Sequence, residues 1–280
     1  MKSISGLTLT SLLSLSLSLP VLAEPTDTSR IASVDANATE ILMGFGLADA
    51  LVAVDVTSQS LVGERGLPDL GYHRALSAEG VLSTEPTLVI GSTHMGPAPV
   101  VETLTRTGVS LVQLPAASNA EELIVNIADL GEQLSRTSEA AEMVAQVRRE
   151  LSAIQETAGD AKPRMVFLLN MSTRGLSQAG SGTTGDALIQ LLGGDNITQY
   201  GGYKTVSMEA LLELDPDVIL VGSESSQADA AADLVSQHPL LEHARAYQNQ
   251  RILTVDAGKM VAGVSLGVVR EAHRLSQLVY

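Results

Sequence analysis

Cysteine and tryptophan are both absent from the 280 residues, and phenylalanine occurs only twice. Without cysteine the chain has no disulfide, no thiolate metal site and no thiol nucleophile, and its compartment must be read from other features. So few aromatic rings leave no stacking platform of the kind that holds single-stranded nucleic acid. Positive charge is scarce too: 17 Lys and Arg face 32 Asp and Glu, a net charge of −15 at pH 7. That balance excludes nucleic acid and anionic membrane surfaces as natural partners. The apolar stretch at residues 7–19, cut by serines, follows Lys2 and precedes Val21-Leu22-Ala23. It is shorter than the ~20 apolar residues of a membrane span. A charged start, an apolar middle and a small-residue exit read as an export signal, residues 1–23, cleaved near Ala23. No cysteine follows the cleavage point to take a lipid, so a soluble exported chain beginning near Glu24 is expected.

What the chain does have is one segment written twice. Residues 71–90 read GYHRALSAEGVLSTEPTLVI, and residues 202–220 read GYKTVSMEALLELDPDVIL. From Ser77 onward they align without a gap at an offset of 130, pairing Ser77 with Ser207, Glu79 with Glu209, Leu82 with Leu212 and Pro86 with Pro216. Two copies at so long a period are not a solenoid. They describe two similar α/β lobes, each with a tyrosine loop, a helix started by serine and a buried strand. A cleft between two lobes is a natural small-ligand site.

Around the repeat, strands are expected at residues 30–35, 51–56, 87–91 and 110–114, with helices at 41–45, 77 onward and 98–107. The alternation implies a parallel sheet. Asn37 and Glu40 have the spacing of a capping box. Residues 119–134 and 138–157 read as helices; in the second, Met143, Val144, Val147, Leu151 and Ile154 form one apolar stripe. Strands at 164–170, 217–222 and 252–256, helices at 186–192 and 228–236, and a terminal helix from Ser265 complete a second α/β block. The fold class is therefore α/β: two parallel-sheet lobes, residues 24–136 and 161–280, joined by a single long helix at 137–160.

Two motifs dissolve on inspection. Gly180-Ser-Gly-Thr-Thr-Gly185 has the GxGxxG pattern, but it does not directly follow the strand and no acidic residue sits at the right distance for a dinucleotide. It reads as a loop entering a helix, with Thr183 and Asp186 as a capping box and free N–H groups open to a ligand carboxylate. Gly263-Val-Ser265-Leu-Gly267 matches GxSxG, yet only Glu271 and His273 follow, too local for a triad. Ser265 reads as a helix cap, and no enzyme is expected. Five histidines show no HxH or HExxH spacing. His94, directly after a strand, is the one placed where ligands gather. Tyr72 has Arg74 two residues on, and a nearby guanidinium favours phenolate, lowering the phenol from its usual ~10. Phenolate is a hard ligand for ferric iron, and tyrosine is an attested haem ligand.

At this point the residues define a likeness. LPDLGYHRALSAEGVLSTEPTLVIGS, with ASVDANATEILMGFGLADALVAVDVTS before it and QAGSGTTGDALIQLLGGDN and GGYKTVSMEALLELDPDVILV after, resembles the periplasmic haem-binding proteins of bacterial ABC-type haem importers. The likeness runs from about Arg30 to the C-terminus. It implies a periplasmic monomer that holds ferric haem b between its lobes and delivers it to an inner-membrane permease with its ATPase. It further implies Tyr72 as axial iron ligand, Arg74 as the residue that hydrogen-bonds it, and Glu79 and Glu209 as one docking carboxylate per lobe. Tyr203, the repeat partner of Tyr72, joins the ligand-facing candidates. Two departures matter. The loop 170–174 has no histidine to serve as a second axial ligand, and Ser181 replaces a basic residue that would meet a propionate. Iron with five ligands, or with Met171, His94 or water on the far side, stays open, and ferric siderophore or cobalamin is the alternative cargo.

Overall fold

The computed structural model describes residues 26–171, 175–223 and 229–280, with only the backbone at Asn170 and Met171. The export signal therefore lies outside the described residues. The first half contains β1 (Ile31–Val34), α1 (Ala36–Gly44), β2 (Leu51–Val54), α2 (Gln59–Val62), α3 (Ala78–Leu82), β3 (Leu88–Ser92), α4 (Ala98–Arg106), β4 (Ser110–Leu114) and α5 (Ala120–Gln133). The long α6 (Thr137–Ala158) follows. The second half contains β5 (Arg164–Met171), β6 (Gly175–Ala179), α7 (Thr184–Leu191), β7 (Asp195–Asn196), β8 (Tyr203–Thr205) and α8 (Met208–Leu214). It ends with β9 (Val218–Ser223), α9 (Ala230–Gln237), α10 (Arg245–Gln248), β10 (Ile252–Asp256) and α11 (Leu266–Val279).

The first sheet has the order β2-β1-β3-β4 and is parallel throughout. Every residue of β1 and β3 is buried, as expected of strands covered on both faces. The second sheet has the order β10-β9-β5-β6-β8, with β7 beside β5. Here β10, β9 and β5 run parallel, but β6 and β8 are antiparallel additions. This lobe is thus mixed rather than wholly parallel. Gly-Leu-Ser-Gln-Ala and the exposed Tyr-Lys-Thr carry neither an apolar run nor an alternation that would mark them as strands.

The repeat is reproduced in the backbone. Ser77 and Ser207 cap α3 and α8, accepting from Gly80 N–H and Ala210 N–H at 3.2 Å each. Val81 and Leu211, at equivalent places, are both fully buried. Glu85 and Asp215 both adopt positive φ ahead of their prolines, +49° and +43°. A further equivalence escapes the gapless alignment. Arg30 and Arg164 each donate to a carbonyl where these helices end, Arg30 to Thr84 O just past α3 at 2.6 Å and Arg164 to Leu214 O, the last residue of α8, at 2.7 Å.

Helix α1 begins earlier than its apparent capping box. Asp35 is the cap, accepting from Ala38 N–H at 2.9 Å, and Asn37 and Thr39 are buried within the helix. Glu40 instead reaches across the molecule. It accepts from Gly267 N–H at 2.9 Å and meets Arg270 at 3.4 Å, tying α1 to α11. The core does the same with apolar atoms. Ile31 and Leu88 of the first sheet, Met143, Val147 and Ile154 of α6, and Val268 and Leu275 of α11 belong to one continuous cluster. Each fully buried aliphatic side chain contributes about 1.5–3 kcal/mol, so α6 is fastened to both halves along its stripe.

Burial raises the Glu40 carboxyl above its ordinary value, outweighing the Gly267 N–H and the Arg270 charge. The folded state then binds this proton more tightly than the unfolded chain. Stability falls as pH rises from the ordinary carboxylate value through the raised one. Glu40→Gln keeps an acceptor for Gly267 while removing the titration. Urea midpoints measured from about pH 4 to about pH 8 should decline less steeply in the variant over that window.

Candidate functional site

The segment between β2 and α3 is held at both ends. Leu70 N–H reaches Val54 O at 2.9 Å and Val56 N–H reaches Gly71 O at 3.0 Å. On the other side Gly96 N–H reaches His73 O, and Leu76 N–H reaches Gly96 O, both at 2.9 Å. Gly71 takes φ +78° and Gly202 takes φ +71°, a left-handed turn that favours glycine immediately before each tyrosine. Side chains then alternate: Tyr72 is 46% exposed, His73 is fully buried and Arg74 faces solvent. Arg74 makes no hydrogen bond or ion pair among the described residues, to Tyr72 or to any other group.

Beneath this loop, at the C-terminal ends of β1, β2 and β3, lies a buried polar layer. Asp55 accepts from Ser58 Oγ at 2.6 Å and Thr57 Oγ1 at 2.8 Å, and its Oδ2 lies 3.4 Å from His73 Nδ1. Asp35 accepts from the Ala38 and Ser92 N–H groups, and burial raises its carboxyl. Parallel sheets place ligand sites outside these strand ends.

His94 stands on the loop after β3, hydrogen-bonded through its neighbours to the Tyr72 segment. Burial lowers its pKa, and the Arg74 guanidinium lowers it further. A neutral imidazole is the metal-binding form, and its Nδ1 is buried without a partner. Arg74→Ala removes that depressing charge, so the His94 pKa, followed by its ring resonances in NMR, should rise. An unmoved titration would separate the two side chains.

His94, Ala117 and Ser118 from the first half share a cavity of about 240 Å³ with Thr183, Asp186 and Gly263 from the second. The Tyr203 ring is 43% exposed, but its hydroxyl end is desolvated; that burial raises its pKa, against opposing hydrogen bonds from Gly185 and Thr183. Neither repeat tyrosine lines this cavity; the Tyr72 segment is tied to it through the hydrogen-bonded His94 loop, and Tyr203 through its neighbour Thr183. A larger groove of about 640 Å³, lined by Glu40, Glu139, Met143 and Arg149, lies among helices and includes neither tyrosine.

The glycine loop is less open to anions than its sequence implies. Gly180 N–H goes to Gly202 O, Ser181 N–H to Tyr200 O and Gly182 N–H to Asp186 Oδ2. Asp186 N–H goes to Thr183 Oγ1 at 3.1 Å, the expected cap. Ser265 is also a cap: it accepts from Val268 N–H, donates to Lys259 O and is buried. Glu271 is ion-paired with Arg274 and Lys259, so no hydrolase triad forms.

Glu79 and Glu209 are exposed on the first turns of α3 and α8. The Glu209 carboxyl is held below its ordinary value by its own backbone N–H and the Ser207 hydroxyl. Met171 lies on β5 with its side chain outside the described residues, as does the loop 172–174. His73 and Asp55 were not marked by any sequence motif. Their signal is a histidine beside the candidate ligand and an aspartate ending a strand.

A family model for periplasmic binding proteins matches residues 31–258, and the chain belongs to that family. The family is one of periplasmic ligand-binding proteins, not of enzymes. Among solved structures, the periplasmic haem-binding protein HutB of Vibrio cholerae is 33% identical, with a TM-score of 0.81 covering 91% of this chain and 100% of that one. A periplasmic haem-binding protein from Pseudomonas aeruginosa is 32% identical, TM-score 0.79, covering 90% and 92%. A cobalamin-binding protein of Halobacterium salinarum is 25% identical over 237 residues, 81% of this chain, which spans 63% of that relative's length.

Proposed function

We propose that this protein captures ferric haem between its two lobes and carries it to the permease and ATPase of an inner-membrane importer. The observation that carries the reading is Tyr72: half exposed on a glycine-set turn beside an unpaired Arg74, in a segment hydrogen-bonded to the loop of the cavity-lining His94. Tyr72 supplies the axial oxygen, and the free Arg74 is available to the phenolate or to a propionate. No three histidines or carboxylates converge as a metal group among the described residues. That donor set suits iron that arrives already chelated and needs one protein ligand. The haem-binding proteins of similar fold support the same cargo.

His94 belongs to the wall that carries Tyr72, because their loops are hydrogen-bonded together. It therefore contacts the cargo from the tyrosine side, while Tyr203 approaches from the other lobe and Met171 stays the second-half candidate for the far face. Residues 24–136 and 161–280 serve as the lobes, 137–160 as their connecting helix, and the exported chain acts as a monomer after removal of residues 1–23.

Cobalamin is the second reading, favoured by the halobacterial relative. Cobalamin and ferric siderophores need no tyrosine–iron bond. Difference spectra of the purified protein with hemin, cobalamin and a ferric siderophore decide between them. A saturable change with hemin alone is expected; saturation by cobalamin alone would replace the haem reading.

A further inference from the structure

Tyr72 and His73 face opposite ways yet touch: their ring centroids lie 4.3 Å apart with the planes tilted by 52°. That separation lies just below the usual range for aromatic pairs. Behind the imidazole, Asp55 Oδ2 lies 3.4 Å from Nδ1, and Asp55 is itself fixed by the Thr57 and Ser58 hydroxyls. Asp55 accepts from both hydroxyls, and a proton on Nδ1 gives the imidazole its hydrogen bond to that carboxylate. Nε2 is buried and has no partner among the described residues. A fully buried imidazole meets no cargo directly. Burying it with a carboxylate is expensive unless the geometry is used.

We infer that His73, oriented by Asp55, is a positioning residue for Tyr72, fixing the plane of the phenol ring and so the direction of its oxygen. The inference rests on Tyr72 as the ligand residue. His73 is locked from three sides: its carbonyl by Gly96, its ring by Asp55, and its outer face by the Tyr72 ring. Ordering the phenol in advance removes a rotamer cost from binding.

The test uses the hemin-loaded full protein. His73→Leu should weaken the phenolate-to-iron absorption band and speed hemin dissociation about tenfold. Asp55→Ala, which leaves Nδ1 without an acceptor, should move the band and the rate in the same direction as His73→Leu, and an unchanged rate there would remove Asp55 from the orienting role. Tyr72→Ala should hide the effect, so the double variant dissociates no faster than Tyr72→Ala alone. An unchanged band and rate in His73→Leu, or additive effects in the double variant, would overturn the positioning role. Should His73→Leu fail to fold by circular dichroism, His73→Gln carries the same readouts. The ligand-free protein supplies an independent arm. Among the five tyrosine ring signals, the one lost in Tyr72→Phe should shift when His73 is replaced. If that shift appears while hemin gives no phenolate band, the haem reading fails and the positioning of Tyr72 stands; if it is missing, the positioning fails.

Discussion

Tyr72→Ala is expected to lower hemin affinity by about two orders of magnitude, or about 3 kcal/mol, and to abolish the phenolate–iron absorption. The size follows from removing the phenol oxygen proposed as the iron ligand. The fold should be untouched. Tyr72 is 46% exposed, so its truncation opens no core cavity, and surface changes of this kind stay within about 0.5 kcal/mol. Binding and stability thus separate: thermal midpoints of the ligand-free variant should overlay those of the unsubstituted protein while the hemin titration collapses. Tyr203→Ala is the matched control, because it removes the other repeat tyrosine without touching an iron bond. A Tyr72→Ala protein that binds hemin with unchanged affinity and spectrum would remove Tyr72 from the site.

The second large effect concerns delivery. Replacing Glu79 and Glu209 together by alanine should leave hemin binding in solution intact and abolish transport through a reconstituted importer. Each carboxylate stands on the first turn of a helix capped with the same 3.2 Å hydrogen bond, one in each half. Such a matched pair suits a permease with two arginines, since Arg–carboxylate contacts are bidentate and charge-assisted. Truncating one member of a buried charge pair at an interface costs about 2–5 kcal/mol, so single variants should transport at intermediate rates. Neither glutamate is needed inside the protein: both are exposed, and the serine hydroxyls already cap the helices. Wild-type transport by the double variant would end the docking role. Loss of hemin binding would move the glutamates to the fold or the ligand site.

Much of this arrangement was legible because the repeat marks local chemistry. Gly-Tyr, the capping serines and the prolines each impose a backbone shape on their own neighbours, and the structure shows those shapes twice. The long parallel-sheet strands were legible for a similar reason, since a strand buried on both faces is written as an unbroken apolar run. What escaped depends on distant pieces of chain. Arg30 and Arg164 are equivalent, but they are 134 residues apart rather than 130, outside a gapless alignment. Glu40 has the spacing of a local cap and instead spends its carboxylate on Gly267. The His73–Asp55 contact exists only after the loop folds back across the strand ends. The antiparallel strands β6 and β8 gain their conformation from pairing, with little help from their own side chains.

Resonance Raman spectroscopy of the protein loaded with one equivalent of hemin tests the central claim most directly. Excitation in the charge-transfer band should enhance phenolate ring modes, and those modes should disappear in Tyr72→Phe while persisting in Tyr203→Phe. A ferric haem spectrum without phenolate modes, or with modes that survive Tyr72→Phe, would contradict the assignment of Tyr72 as the iron ligand.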